Sequence, residues 1–108
     1  MTDYPNYTDP SRFLSVDFEI VGLVQGVFFR KYALHAANKL GVTGWIKNTR
    51  TGGITGNIQG DKGRVALMKE WLCTVGSPQC VILACKFSNE RELINLDHHH
   101  FTISPSDW

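Results

Sequence analysis

No apolar run in the chain approaches the ~18 residues that a membrane-spanning helix needs. The N-terminus shows no basic segment followed by an apolar stretch, so no secretory signal is expected. Charge of one sign is equally scarce: 11 Lys and Arg against 10 Asp and Glu leave a formal net charge of only +1. The field of the whole molecule is then too weak to hold a large polyanion, so nucleic acid is not expected as a partner. Any small anion must be held locally, by placed basic groups and backbone dipoles. Only three cysteines occur, Cys73, Cys80 and Cys85, and none has a CxxC or Cys/His ligand spacing. An odd set without such spacing speaks for a cytoplasmic protein with reduced, buried thiols acting as small hydrophobes. There is no internal repeat and no low-complexity tract. What remains is an ordinary globular composition, 43% apolar over 108 residues. That length fits one domain able to fold without disulfides or metal.

The chain divides by pattern. Residues 1–12 are polar and broken by Pro5 and Pro10, and read as a loosely ordered tail ahead of a domain over 13–108. From Ser15 the residues alternate, with Val16, Phe18 and Ile20 on one side and Asp17 and Glu19 on the other, as in a half-buried strand. Phe29, Tyr32, Ala33, Ala36, Ala37 and Leu40 recur at helical spacing, with Gly41 where a C-cap belongs. Thr43–Thr49 and Ile54–Gln59 read as strands joined through Arg50-Thr51-Gly52-Gly53. Val65, Met68, Trp71, Leu72 and Val75 predict a second helix, starting after Asp61 as N-cap and stopping at Gly76. Val81–Phe87 reads as a fourth strand and Phe101–Ile103 as a short last one. The order βαββαβ predicts an α+β, ferredoxin-like split βαβ sandwich, with two helices on one face of a mostly antiparallel sheet.

One segment carries chemistry: Gly22-Leu23-Val24-Gln25-Gly26-Val27-Phe28-Phe29-Arg30. Two glycines let the loop curl so that successive N–H groups converge on the start of a helix, where the macrodipole adds positive charge. Such a cradle suits a phosphate. Arg30, in the first helical turn, can add a planar bidentate grip on two phosphoryl oxygens. No acid lies between Gly22 and Tyr32 to compete. A plain tight loop with a solvated arginine explains the same residues about equally well. The absence of a Gly-Lys-Ser/Thr run and of GxGxxG removes support from nucleotide cradles.

Gly22-x-Val24-Gln25-Gly26-Val27-x-Phe29-Arg30 resembles the N-terminal signature of the acylphosphatases. Gly44-Trp45-Ile46-Lys47-Asn48, followed by Gly53-Ile54-Thr55-Gly56 and Gly60, is similar to the second block of that family, at the right spacing. The likeness continues through Lys69-Glu70-Trp71-Leu72, Val75-Gly76-Ser77-Pro78 and Phe87-Ser88-Asn89-Glu90, and spans roughly Ser15 to Ile103. The resemblance implies a ferredoxin-like fold, no metal or organic cofactor, and hydrolysis of a small acyl phosphate to a carboxylate and inorganic phosphate by a cytoplasmic monomer. It places the catalytic arginine at Arg30 and the catalytic asparagine at Asn48. The phosphate-binding loop falls on the backbone of Leu23, Val24, Gln25, Gly26, Val27 and Phe28. Topology supports the pairing: the first and second strands of a βαβ unit run parallel, so Asn48 and the loop leave the same edge of the sheet. By position alone Asn48 reads as a turn residue.

Some features depart from the family or distract from it. Leu23 stands where many members carry a basic residue. Ser104–Trp108 continue past the point where animal members usually end, which displaces a terminal carboxylate from the arginine. Lys47 and Arg50 flank Asn48 and read first as solvated edge residues. Cys80–Cys85 is more apolar than the usual segment, implying deeper burial or a sticky edge. His98-His99-His100 invites a metal site, but strand alternation would send His99 away from its neighbours. His35 reads as surface or packing. Three other functions fit the sandwich: a silent anion-binding module, an RNA-recognition module, and a domain of a larger maturation enzyme. The RNA-stacking motif Lys/Arg-Gly-Phe-Gly-Phe-Val is absent. Length and motif order disfavour the last of the three.

Overall fold

The computed structural model describes residues 12–108; the expected tail lies outside the described residues except for Arg12. The elements are β1 (Phe13–Leu23), α1 (Phe29–Leu40), β2 (Thr43–Asn48), β3 (Ile54–Asp61), α2 (Lys62–Thr74), β4 (Val81–Leu93) and β5 (Phe101–Ile103). The sheet order is β4-β1-β3-β2-β5. The β1/β3, β1/β4 and β2/β3 pairs are antiparallel, and β5 alone runs parallel to its neighbour β2. This is the expected ferredoxin-like α+β sandwich, with β5 added at one edge.

The core lies between the helices and one sheet face, as the alternation predicts. Val16, Phe18, Ile20, Ile46, Ile54 and Ile58 from the sheet meet Phe29, Ala33 and Ala37 of α1 and Val65, Met68 and Leu72 of α2. Burying each large aliphatic or aromatic side chain here contributes roughly 1.5–3 kcal/mol. The Phe29 and Trp71 rings pack edge to face with centroids 5.6 Å apart, which joins the start of α1 to α2. Among the described residues, no helix is long and apolar enough to cross a membrane.

Several boundaries differ from the sequence reading. β1 starts at Phe13 and β4 runs on to Leu93 because their ends pair with each other, Phe13 opposite Leu93. The second half of β4 is too polar and exposed to show alternation. Val75, expected on the buried face of α2, is 57% exposed, since the helix ends at Thr74 and the chain turns away there. Asp61 does precede α2, but its carboxylate makes no cap hydrogen bond and instead pairs with Arg64 Nε at 3.3 Å. The three free cysteines are half-buried rather than buried. Val81 and Leu83 of β4 stand exposed, so the apolar segment forms an open edge and not a better-buried strand. His98–His100 lie in irregular chain ahead of β5, where strand alternation does not apply.

Candidate active site

Three devices place the loop between β1 and α1. Gly22 is forced by space and angle together: it adopts φ +146, and a Cβ there would overlap the Val81 carbonyl oxygen on β4. Gly26 has open space around it but adopts φ +76, a conformation cheap only for glycine. Phe28 closes the loop as N-cap of α1 in the left-handed region, φ 62 and ψ 22, with no side-chain cap hydrogen bond. A non-glycine residue held there costs about 1–2 kcal/mol, and such strain gathers at functional sites.

The first turn of α1 is therefore open to an anion. It contains no acidic side chain. Its first intrahelical amide bond runs from the Tyr32 N–H to the Phe28 carbonyl at 3.1 Å, so the amides before Tyr32 lack helical acceptors. Beside them lies an open cavity of about 440 Å³ lined by Val24, Gly26, Phe28, Phe29, Arg30, Lys31 and Ile103. Its ionisable lining is cationic only. Arg30 is half-buried and makes no ion pair or side-chain hydrogen bond with any described residue, which leaves its guanidinium available.

The six predicted loop residues divide by role. Val24, Gly26 and Phe28 line the cavity with Arg30. Val27 faces a neighbouring groove with Phe28. Leu23 is the last residue of β1, opposite Val81, 56% exposed and outside the cavity lining. Gln25 points to the β2–β3 hairpin, where its Nε2 donates to the Thr49 carbonyl at 2.8 Å and to the Gly53 carbonyl at 2.7 Å. The same hairpin closes on itself, with Thr49 N–H donating to the Gly53 carbonyl and Gly53 N–H to Thr49 Oγ1. Gln25 thus locks the loop to the residue directly after Asn48.

Asn48 ends β2 in the row Ile20, Ile54, Asn48 across three strands. It alternates with Lys47 so that its side chain shares the helix-side face with Ile46. It is 6% exposed, does not line the 440 Å³ cavity, and its Oδ1 is buried without a hydrogen-bond partner among the described residues. Buried polar atoms are nearly always paired. A carboxamide in this state can accept from one group and donate to another, which is what orienting a water requires, but it cannot titrate as a base.

Sequence reasoning did not find Gln25 as a clamp, Lys31 and Ile103 as lining, or the left-handed Phe28. A polar amide inside an otherwise apolar loop was the one visible signal for Gln25. The flanking cations, expected as solvated edge residues, lie at the surface and are engaged by the segment after β5. Lys47 Nζ pairs with Asp107 Oδ1 at 2.9 Å, and Arg50 Nε donates to the Asp107 carbonyl at 3.0 Å. The segment after β5 thus runs along β2, with Ser104 N–H donating to the Ile46 carbonyl at 2.8 Å, and occupies both cations.

Fold and site together define an α+β sandwich in which a helix start without acidic side chains and an arginine unpaired among the described residues border one cavity. The acylphosphatase family model matches residues 16–103. Acylphosphatase-2 of Meleagris gallopavo is 52% identical over 88 residues, covering 82% of this chain and 85% of that protein. Acylphosphatase-1 of Gallus gallus is 48% identical over 90 residues, covering 83% and 91%. Among solved structures, an acylphosphatase from Bacillus subtilis is similar with a TM-score of 0.78 at 27% identity, over 84% of this chain and 98% of that one. The chain belongs to the acylphosphatase family.

Proposed function

We propose that this chain hydrolyses the carboxyl–phosphate bond of acyl phosphates, giving a carboxylate and inorganic phosphate, with Arg30 holding the phosphoryl group and Asn48 placing the attacking water. The reading is supported above all by the buried, unpartnered Oδ1 of Asn48, at the strand end that Gln25 ties to the loop. The amides of the first turn of α1 and the Arg30 guanidinium take the phosphoryl oxygens, where charge spreads in a loose transition state. The carboxylate leaving group has a conjugate acid near pKa ~4, so it departs unprotonated at neutral pH and no general acid is needed. The proton of the attacking water passes to the phosphoryl oxygens, since an amide cannot take it. No metal or cofactor enters this scheme. The enzyme works as a cytoplasmic monomer on small molecules, a placement consistent with three free cysteines. The test is hydrolysis of a synthetic acyl phosphate in excess chelator. Activity should persist undiminished. Loss that Mg²⁺ or Zn²⁺ restores would overturn the scheme.

A further inference from the structure

α2 lies antiparallel along β4, and a ladder of contacts fixes the register between them. Lys62 Nζ pairs with Glu92 Oε2 at 2.8 Å, near the start of the helix and the end of the strand. Farther along α2, Lys69 Nζ reaches Glu90 Oε1 at 2.8 Å and stands 5.3 Å from the centroid of the Phe87 ring. One more turn, ~6 Å along the helix, leads from Lys69 to Cys73 on the same face. Stepping back ~6.6 Å along the strand leads from Phe87 to Cys85, again on the same face. Cys85 and Phe87 sit opposite Ile20 and Phe18 of β1 and pack against the core beneath the helices. The ladder thus ends on a pair of sulfurs, and the Cys73 side chain hydrogen-bonds that of Cys85. Both are half-buried free thiols, open to a small reagent, and the hydrolytic scheme uses neither. Cys80 is turned elsewhere: its Sγ faces the Val75 carbonyl at 4.0 Å and the place that a Cβ at Gly76 would take.

We propose that Cys73 and Cys85 form a dithiol that a small disulfide of the glutathione class oxidises reversibly to an intramolecular disulfide, stapling the end of α2 to β4. The proposal does not depend on the reading of the chain as a hydrolase. In the first step the Cys73 thiolate attacks the small disulfide, forming a mixed disulfide and releasing one thiolate. In the second the Cys85 thiolate attacks the Cys73 sulfur and expels the other. The two cysteines lose two electrons and two protons, and the small disulfide becomes two thiols. Burial first, then the hydrogen bond and charge of Cys73, push the Cys85 thiol up to about 12, so Cys85 stays a thiol while Cys73 attacks. Both effects of Cys73 end once its sulfur is held in the mixed disulfide, which eases the deprotonation of Cys85 for the second step. The closed loop, residues 73–85, backs both ends of the β1–α1 loop: the Val81 carbonyl abuts Gly22, and the Phe29 ring lies against Gly76. In a reducing compartment such a bond is transient and forms when the balance of thiol and disulfide shifts.

The experiment incubates the reduced full chain, without denaturant, with glutathione disulfide, then alkylates the remaining thiols and weighs the intact protein by mass spectrometry. Wild type should fall from three alkylatable thiols to one, as a monomer without a glutathione adduct. Fragmentation of the tryptic peptide Glu70–Lys86, which carries all three cysteines, locates the bond without any substitution and should place it between Cys73 and Cys85. Cys80→Ser should form the same bond and keep no alkylatable thiol. Cys73→Ser and Cys85→Ser should each form no internal bond. Oxidation should raise the Tm of wild type and of Cys80→Ser by about 5–15 °C, since the bond restricts the unfolded chain. Dithiothreitol should reverse both the bond and the shift. Three thiols left free, a glutathione adduct that never resolves, or a covalent dimer would overturn the proposal. So would an internal bond that involves Cys80, or one that persists in Cys73→Ser or Cys85→Ser. A bond that forms without raising Tm would show that it replaces the native contact of α2 with β4, and the staple would fall with it.

Discussion

Arg30 and Asn48 occupy opposite physical situations, and this separates their contributions. Arg30 is a permanently charged group with no protein partner among the described residues, and under the proposed function its bonds go to the phosphoryl group. Each charge-assisted bond it makes is worth about 1.5–3 kcal/mol. Arg30→Ala should weaken binding of inorganic phosphate at least tenfold and depress turnover as well. Asn48 has an acceptor buried without a donor among the described residues, which makes it an expensive residue to keep for stability alone. Asn48→Ala should abolish measurable turnover while leaving phosphate affinity within about threefold, because the cradle and Arg30 persist. Its Tm should change little, since no protein hydrogen bond to that oxygen is lost. Competition assays with phosphate, paired with thermal melts, check both variants. Equal loss of phosphate affinity in the two would contradict the division.

At the scale of elements, the site is a junction between the β1–α1 loop and the β2–β3 hairpin, and Gln25 is the strut between them. Gln25→Ala removes two hydrogen bonds and leaves each carbonyl with one backbone donor, Gly52 N–H on Thr49 and Thr49 N–H on Gly53. We expect destabilisation of about 1–3 kcal/mol, with kcat falling more than phosphate affinity because Asn48 loses its register against the cradle. Urea unfolding gives the first quantity and steady-state kinetics the second. Lower stability with an unaltered kcat would reduce Gln25 to a purely structural tie. The helices tell a simpler story. Their apolar spacing locates α1 and α2 to within a few residues, since burial of Phe29, Ala33 and Ala37 or of Val65, Met68 and Leu72 is what makes each helix. The same spacing misplaced Val75 because periodicity does not register where a chain turns.

Across the whole molecule, the segment before β5 is seamed to the sheet through Asp97. Its carboxylate accepts from Arg91 at 2.8 Å and from Gln59 Nε2 at 3.1 Å, and its N–H donates to Gln59 Oε1 at 2.8 Å. The Arg91 bond, and then the Gln59 bond, hold this carboxyl below the usual carboxylate range. A depressed folded pKa stabilises the fold above the unfolded value near ~4, and that contribution drains away as pH falls through the lower folded value. Asp97→Asn should therefore lower Tm at pH 7. The gap to wild type should narrow steadily below about pH 4. A gap that stays constant from pH 7 to pH 3 would show that the charge of Asp97 plays no part.

The sequence alone determined what depends on neighbours along the chain. Alternation in β1 and helical spacing in α1 and α2 set the sandwich, because each element must bury one face. Gly22, Gly26 and the apolar spacing after Phe29 made the curled loop and the start of α1 readable, since both are local devices. Tertiary structure decided whatever needs groups far apart in the chain to meet. Gln25 finds its acceptors at Thr49 and Gly53, Asp107 reaches Lys47 and Arg50, and β4 lengthens only because the first half of β1 lies beside it. These contacts leave no periodicity, for a hydrogen bond between distant residues requires only that two groups arrive at one place. The order of strands decides that arrival.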